Sequence, residues 1–372
     1  MNIALVKLSS LGDVVHALPV AAALRARLPR AHLAWIVERR EAALLTGNGV
    51  LDAVVPVDTR GWRRALTPVD LATAGGALSE LARALRAARF DVALDLQGLL
   101  KSGLLTAATR APLRIGFAAG LCREFSALFT NRRVTPPVTA RHVIEQYLAL
   151  LEPLGVRPAA IEFPLPRDAA AEARVHAFFV GWGVEPRGRL VVLLPGAGRA
   201  DKRWPADRFI ALATRLTAET GAAVLVSWGP GEHETAKAIV DSARGGPIEL
   251  APASTIEELI ALLRRAAVVV GGDTGPLHLA AALGVQCVGL YGPTAAERNG
   301  PWGQVHGALQ SPDGTLAGIG VEAVLARVVA ALETAPASRP PQGVGSDMED
   351  GAGSRLVSGH PPIAPAPRPP VQ

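Results

Sequence analysis

Cysteine is nearly missing from this chain of 372 residues, which holds two, Cys122 and Cys287. They stand far apart and in no ligand-like spacing, which argues against a disulfide framework or a zinc site and for a reducing compartment. Aromatic residues make up only 4%, too few for a platform that stacks unpaired bases, and no RNA-binding signature is present. No run approaches the roughly 20 consecutive apolar residues of a spanning helix. The opening stretch, MNIALVKLSSLGDVVHALPV, lacks the unbroken apolar core of a secretory leader, because a lysine, two serines and an aspartate interrupt it. A soluble, cytoplasmic protein is expected.

An excess of acid is also absent. Lys and Arg total 38 against 33 Asp and Glu, a formal net charge of +5, and the pI is near 9.7. This balance favours anionic partners: nucleic acid, an acidic substrate or an anionic membrane surface. Apolar residues reach 49% and charged ones 19%, so a sizeable core can form, and the length suits about two domains.

Short apolar runs alternate with helical patterns. Strands are expected at 3–6, 33–37, 53–57, 92–94 and 113–115, then at 190–194, 223–227, 248–250, 268–270 and 288–290. Helical candidates include 16–27, 78–88, 143–151, 207–219, 255–265 and 276–283. Alternation of this kind predicts an α/β fold of parallel sheets covered on both faces. The two series are separated by the proline-rich PLGVRPAAIEFPLPRD (153–168), which predicts two doubly wound domains in tandem. Ligands then bind beyond the carboxyl ends of the strands, in the cleft between domains. A last helix near 320–334 closes the folded part. The Pro, Gly and Ser-rich segment 335–372 has little to bury and is expected to be disordered.

Four sites at strand ends, and one basic run, carry chemistry. In KLSSLGD (7–13), Asp13 reads either as a helix N-cap or as a general base at the cleft floor, with Gly12 letting backbone approach a ligand. One glycine is not G-x-G-x-x-G, so a nicotinamide or flavin enzyme loses ground. In VVLLPGAGRADKRWP (191–205), Gly196 and Gly198 followed by Lys202 suit a phosphate; the alternative is a flexible loop with solvated charges. No Walker A motif is present. In VVVGGDTGPLHLAAALGV (268–285), a strand runs into a helix near Pro276, so that Thr274, Gly275 and His278 surround an anion site. Asp273 is awkward there unless it orients a neighbour. Glu232 in SWGPGEHETAK (227–237) could take paired ribose hydroxyls or be a surface glutamate. Arg60, Arg63 and Arg64 around Trp62, with Gln97 and Lys101 in DLQGLLKSG, would suit an acidic acceptor or form a solvated basic face.

Together, VKLSSLGDVVHALP, LDLQGLLKSG, PGAG…DKRWP, SWGPGE and GGDTGPLHLAAALG resemble glycosyltransferase family 9, the lipopolysaccharide heptosyltransferases, over residues 1 to about 300. LQGLLKS and the first motif look closer to heptosyltransferase I than to II. The resemblance implies a GT-B fold, two facing Rossmann-like domains with an interdomain cleft: residues 1–165 for the acceptor, 166–334 for the nucleotide-sugar, the last helix able to pack back on the first. It implies ADP-L-glycero-D-manno-heptose as donor and Kdo on lipid A as acceptor, transferred with inversion and without metal or cofactor. Asp13 then maps onto the catalytic base and Lys202 onto the lysine at the donor phosphate. Gly196, Gly198, Glu232, Asp273, Thr274, Gly275 and His278 fall on the donor side. Ser10, Gly12, Arg60, Arg63, Arg64, Gln97 and Lys101 fall on the acceptor side. The basic pI fits a peripheral enzyme at the cytoplasmic face of an anionic inner membrane, with no nucleic acid partner. The rival classes are a family 9 enzyme with another acceptor or sugar, and a small-molecule binding protein.

Overall fold

In the computed structural model the described residues are 1–64, 68–185, 189–304 and 307–334, with the side chains of 62–64 and 68–74 set aside. The first half runs β1 (Asn2–Val6), α1 (Leu11–Arg27), β2 (His32–Glu38), β3 (Ala53–Val57), α2 (Thr59–Arg64), α3 (Pro68–Ala87), β4 (Val92–Asp95), α4 (Leu100–Ala108), β5 (Leu113–Phe117) and β6 (Arg132–Val134). Two helices follow, α5 (Val143–Ala149) and α6 (Ala169–Trp182). The second half runs β7 (Leu190–Leu194), α7 (Ala206–Thr220), β8 (Ala223–Val226), α8 (His233–Ser242), β9 (Ile248–Leu250), α9 (Ile256–Leu263), β10 (Val268–Gly272), α10 (Gly275–Ala282), β11 (Gln286–Tyr291), α11 (Ala296–Asn299), β12 (Ala308–Gln310) and α12 (Val321–Thr334).

Both sheets have six strands, ordered β3-β2-β1-β4-β5-β6 and β12-β11-β10-β7-β8-β9, and every pairing is parallel. Read from its first strand, each is the doubly wound order 3-2-1-4-5-6, whose switch point opens a crevice at the carboxyl ends of the first and fourth strands. In this chain those ends are β1 and β4 in one half, β7 and β10 in the other. KLSS, LQG, PGAG and DT all follow these four strands, so the fold gathers the sequence motifs at two crevices.

The central strands are continuous apolar runs because both faces are covered; β1, β7 and β10 are buried from end to end apart from Asn2. The outer strands β6 (RRV) and β12 (ALQ) carry no such run, which is why hydrophobic pattern alone passes over them. Helix α1 starts at Leu11, five residues before the apolar periodicity suggests, because Ser10 caps it and Asp13 closes its first turn. Asp13 is therefore the third residue of the helix and not its N-cap. Helix α12, which could have packed back on the first half, stays with the second. It packs on α7, β10 and β11 of the second half, with Val324, Leu325 and Val328 buried among Val191, Leu193 and Leu216.

The two halves meet where the first turns of α1 and α10 touch. A Cβ added at Gly12 would stand 2.7 Å from the His278 ring and 3.4 Å from Gly275 Cα, and one added at Gly275 would stand 2.8 Å from Leu11 Cβ. The approach needs both glycines. Behind it the rings of His16 and His278 lie 4.3 Å apart, and a single apolar cluster runs from Ile3 and Val15 through Leu277 to Tyr291. Gly12→Ala is expected to destabilise the protein by about 1–3 kcal/mol through overpacking, more than the 0.5–1 kcal/mol or so that alanine gains in helix propensity. A lower midpoint of urea unfolding would register it; an unchanged or higher midpoint would refute the close contact.

Candidate functional site

The site is built on the β1–α1 turn. Lys7, at the end of β1, is 2% exposed and sends its ammonium to the Tyr147 hydroxyl (2.7 Å) and the Leu96 carbonyl (3.2 Å). It lies 4.5 Å from the centroid of the Tyr147 ring and 3.6 Å from Asp13 Oδ1. Asp13 Oδ2 accepts from the Ser10 amide (3.0 Å) and hydroxyl (2.9 Å), while the Tyr147 hydroxyl donates to Oδ1 at 3.4 Å. The Asp13 side chain nonetheless stays 40% exposed. A carboxylate held from behind by a buried cation, with its front open, can accept a proton from a bound molecule.

Burial pushes the Asp13 carboxyl up, but Lys7, the two Ser10 hydrogen bonds and the facing His278 together bring it below its ordinary 3.8. Burial likewise pulls the Lys7 ammonium down, yet Tyr147 and Asp13 outweigh it and leave it raised. The signs agree: both groups are charged at neutral pH. Asp13 contributes stability above its unfolded pKa, and that contribution disappears as pH falls through its lower folded value. Lys7 contributes below its unfolded pKa and stops contributing as pH rises through its higher folded value.

Across the helix contact lies the second group. Asp273, at the end of β10, takes the Lys202 ammonium on Oδ2 (2.6 Å) and His278 Nε2 on Oδ1 (2.8 Å). Burial alone would raise its carboxyl; His278 and Lys202 hold it well below the usual range. Asp273 thus orients its neighbours, the one arrangement in which a carboxylate is tolerable beside an anion site. His278 is 5% exposed and locked between Asp273, Gly12 and His16, so it is a packed positioning group and not a side chain presented to the cleft. Burial keeps His16 and His142 below the ordinary histidine pKa. Thr274 caps α10, and its buried Oγ1 has no hydrogen-bond partner within the described residues. With free N–H groups at the starts of α1 and α10 converging, the contact favours negative charge.

The glycine loop and Glu232 also come together. Glu232 caps α8, accepts from the Gly229 amide at 2.8 Å, and lies so close over Gly196 that any Cβ there would overlap its carboxylate. Gly198 is exposed and open. On the first sheet, Gln97 Oε1 accepts from the Leu8 and Ser9 amides (3.0 and 3.2 Å), which fixes the turn carrying Ser10 and Asp13. Lys101 is not a free cation: its ammonium reaches Glu38 Oε1 and Thr59 Oγ1, each at 3.3 Å. Arg60 is exposed at the start of α2; the side chains of Arg63 and Arg64 lie outside the described residues. Lys7 and Tyr147 were not singled out from sequence. Lys7 stands inside the quoted motif but reads as a strand end, and Tyr147 is 140 residues away on a helix with no local signal. Among the described residues, no group of three or more His, Cys, Asp or Glu is placed to hold a metal ion.

A family model, glycosyltransferase family 9 (heptosyltransferase), matches residues 78–318, well over half the chain. The chain belongs to glycosyltransferase family 9. It is a glycosyltransferase with the GT-B-type architecture, which removes the pure binding protein from contention. Lipopolysaccharide heptosyltransferase 1 of Escherichia coli strain K12 is 28% identical over 330 residues, 88% of this chain and 99% of its own length. The structure of E. coli heptosyltransferase WaaC with ADP is similar with a TM-score of 0.73 at 28% identity, over 89% of this chain and 100% of that one. The same enzyme with ADP-2-deoxy-2-fluoro heptose gives 0.71 at 28% identity, over 89% and 99%.

For this family 9 enzyme, Lys7→Met is expected to raise the Asp13 pKa, because the charge that does most to oppose burial is then gone. The acidic limb of kcat/KM should move to higher pH. Tyr147→Phe keeps the positive charge and its bond to the Leu96 carbonyl but removes the hydroxyl between Lys7 and Asp13, and should move that limb in the same direction by less. A Lys7→Met profile superimposable on wild type would refute the electrostatic support of Asp13.

Proposed function

We propose that this chain transfers L-glycero-D-manno-heptose from ADP-heptose to Kdo of lipid A in lipopolysaccharide inner-core synthesis, with inversion and without a metal ion. The observation that carries the reading is Asp13, open on one side, held ionised on the other, and set where the switch-point crevices of both sheets meet. The named relatives support heptose as the sugar. The donor is assigned to the half spanning 166–334 and the acceptor to 1–165.

The acceptor hydroxyl attacks the anomeric carbon from the face opposite ADP. Asp13 takes the hydroxyl proton as the new C–O bond forms and the bond to the diphosphate breaks. A low carboxyl pKa makes Asp13 a modest base, but it is ready at every physiological pH, and the transfer is driven by the departing diphosphate. Lys202 keeps N–H donors beyond the one directed at Asp273, and these, with Thr274 and the first turn of α10, meet the charge that grows on the leaving group. Glu232 over Gly196 is assigned to the ribose hydroxyls. Gln97 supports the reaction through the turn it holds, and the cationic role toward acceptor acids falls to Arg60 and its neighbours in sequence. No helix of the described residues is long and apolar enough to cross a membrane, and the proposed location is peripheral, at the cytoplasmic face of the inner membrane.

Purified protein given ADP-heptose and Kdo₂-lipid A in EDTA should release ADP and form the heptosylated product. Asp13→Asn should lose roughly 10²–10⁴-fold in kcat, as expected for removing a general base. Turnover that survives the substitution would remove Asp13 from the chemistry, and turnover abolished by EDTA would remove metal independence. Product formed only on an already heptosylated acceptor would reassign the enzyme to the heptosyltransferase II reaction. Asp273→Asn should lower kcat and tighten ADP binding, since it leaves the Lys202 ammonium undirected and its charge no longer offset; an unchanged kcat with unchanged ADP affinity would refute that role.

A further inference from the structure

The first half carries an apolar surface that the reaction does not use. Leu100 and Leu104 stand one turn apart on α4, 43% and 51% exposed; Leu121 is 55%, Phe125 81% and Leu128 73% exposed. These five are the majority of the large apolar side chains so exposed among the described residues, and they gather round one element. Gly103 of α4 lies against Phe129 and the Ser126 carbonyl, the Arg123 amide donates to the Gly98 carbonyl at 2.9 Å, and the Leu100 amide donates to Glu124 Oε2 at 3.2 Å. Glu124 and Phe125 both hold left-handed backbone, φ 54° and 61°, a conformation unfavourable for side chains of this size. Here it leaves the Phe125 ring in water.

Charge selects the partner. With Lys101 paired to Glu38, residues 97–134 still hold five arginines against one carboxylate, Glu124, and that carboxylate is engaged at the start of α4. Arg123, Arg132 and Arg133 are exposed, and Arg133 Nε reaches back to the Ala127 carbonyl at 3.1 Å, beside the turn that carries Leu128. Apolar side chains rimmed by arginines match the boundary between anionic headgroups and acyl chains.

We propose that the face formed by Leu100, Leu104, Leu121, Phe125 and Leu128 docks on an anionic lipid bilayer. The same α4 begins beside Gln97, which holds the Asp13 turn, so docking brings the acceptor side of the site to the membrane. The purpose of the surface rests on the proposed lipid-borne acceptor; its test does not.

The full chain should float with vesicles of phosphatidylcholine and phosphatidylglycerol and only weakly with phosphatidylcholine alone, and salt should weaken binding. The double variant Phe125→Ser, Leu128→Ser should bind at least about tenfold less, from the lost apolar transfer, with an unchanged thermal midpoint and unchanged ADP binding. Vesicle binding equal to wild type in the variant, or none in wild type, would overturn the proposal. So would a fall in thermal midpoint that accounts for the lost binding, or sedimentation showing wild type as a dimer that the variant dissolves. The vesicle arm contains no sugar donor: lipid-dependent binding without heptose transfer would keep the surface and discard the proposed reaction, and transfer without binding would do the reverse.

Discussion

Two helix starts pressed together hold this structure to its task. Gly12 and Gly275 let α1 and α10 meet at backbone distance, with Leu11 and the His278 ring filling the space that side chains would otherwise contest. Each helix follows the central strand of its own sheet, so this one contact sets the two switch-point crevices against each other. It also puts Asp13 and Asp273 within reach of a shared neighbour, since His278 pairs with Asp273 and faces Asp13. A larger residue at either glycine would move the base relative to the donor side before it touched any substrate.

The electrostatics of the two carboxylates differ for a structural reason. Asp13 borrows a cation from the end of its own strand, Lys7, which is held in turn by Tyr147 from α5. Because Lys7 sits behind it, the carboxylate keeps a free side. Asp273 is spent on both oxygens, by Lys202 and His278, and has no capacity left to act as a base. Two acids at the ends of two central strands therefore take two roles: one reacts and one arranges.

The architecture was legible in the sequence because parallel strands buried on both faces are unbroken apolar runs, and because glycine, serine and aspartate at their ends have few other reasons to recur in order. The ten inner and flanking strands are readable within a residue or two, while β6 and β12 are not, being three-residue edges too short to show an apolar run. The start of α1 was displaced because Gly12 and Asp13 look like loop residues until Ser10 is recognised as the cap. At the site, Glu232 lies over Gly196, a contact that neither motif announces on its own. In sequence Lys101 reads as a cation for an acidic ligand or as part of a solvated face; Glu38, 63 residues away, takes its charge instead. Lys7 and Tyr147 show the same limit: a pair made across 140 residues leaves no local pattern.

The Lys202–Asp273 pair carries one further consequence for the proposed reaction. A lone lysine beside two helix starts would bind a diphosphate strongly in substrate and product alike, and uniform binding of that kind does not speed the chemical step. Asp273 neutralises part of the field at the point where the leaving group arrives. The Lys202 ammonium, 20% exposed, keeps its direction but loses part of its net attraction for ground-state charge. What remains is a fixed set of donors whose value rises as negative charge accumulates on the departing oxygen and falls again once the product diphosphate is solvated. By this argument the buried aspartate, which looked out of place beside a phosphate, is what lets the site release ADP.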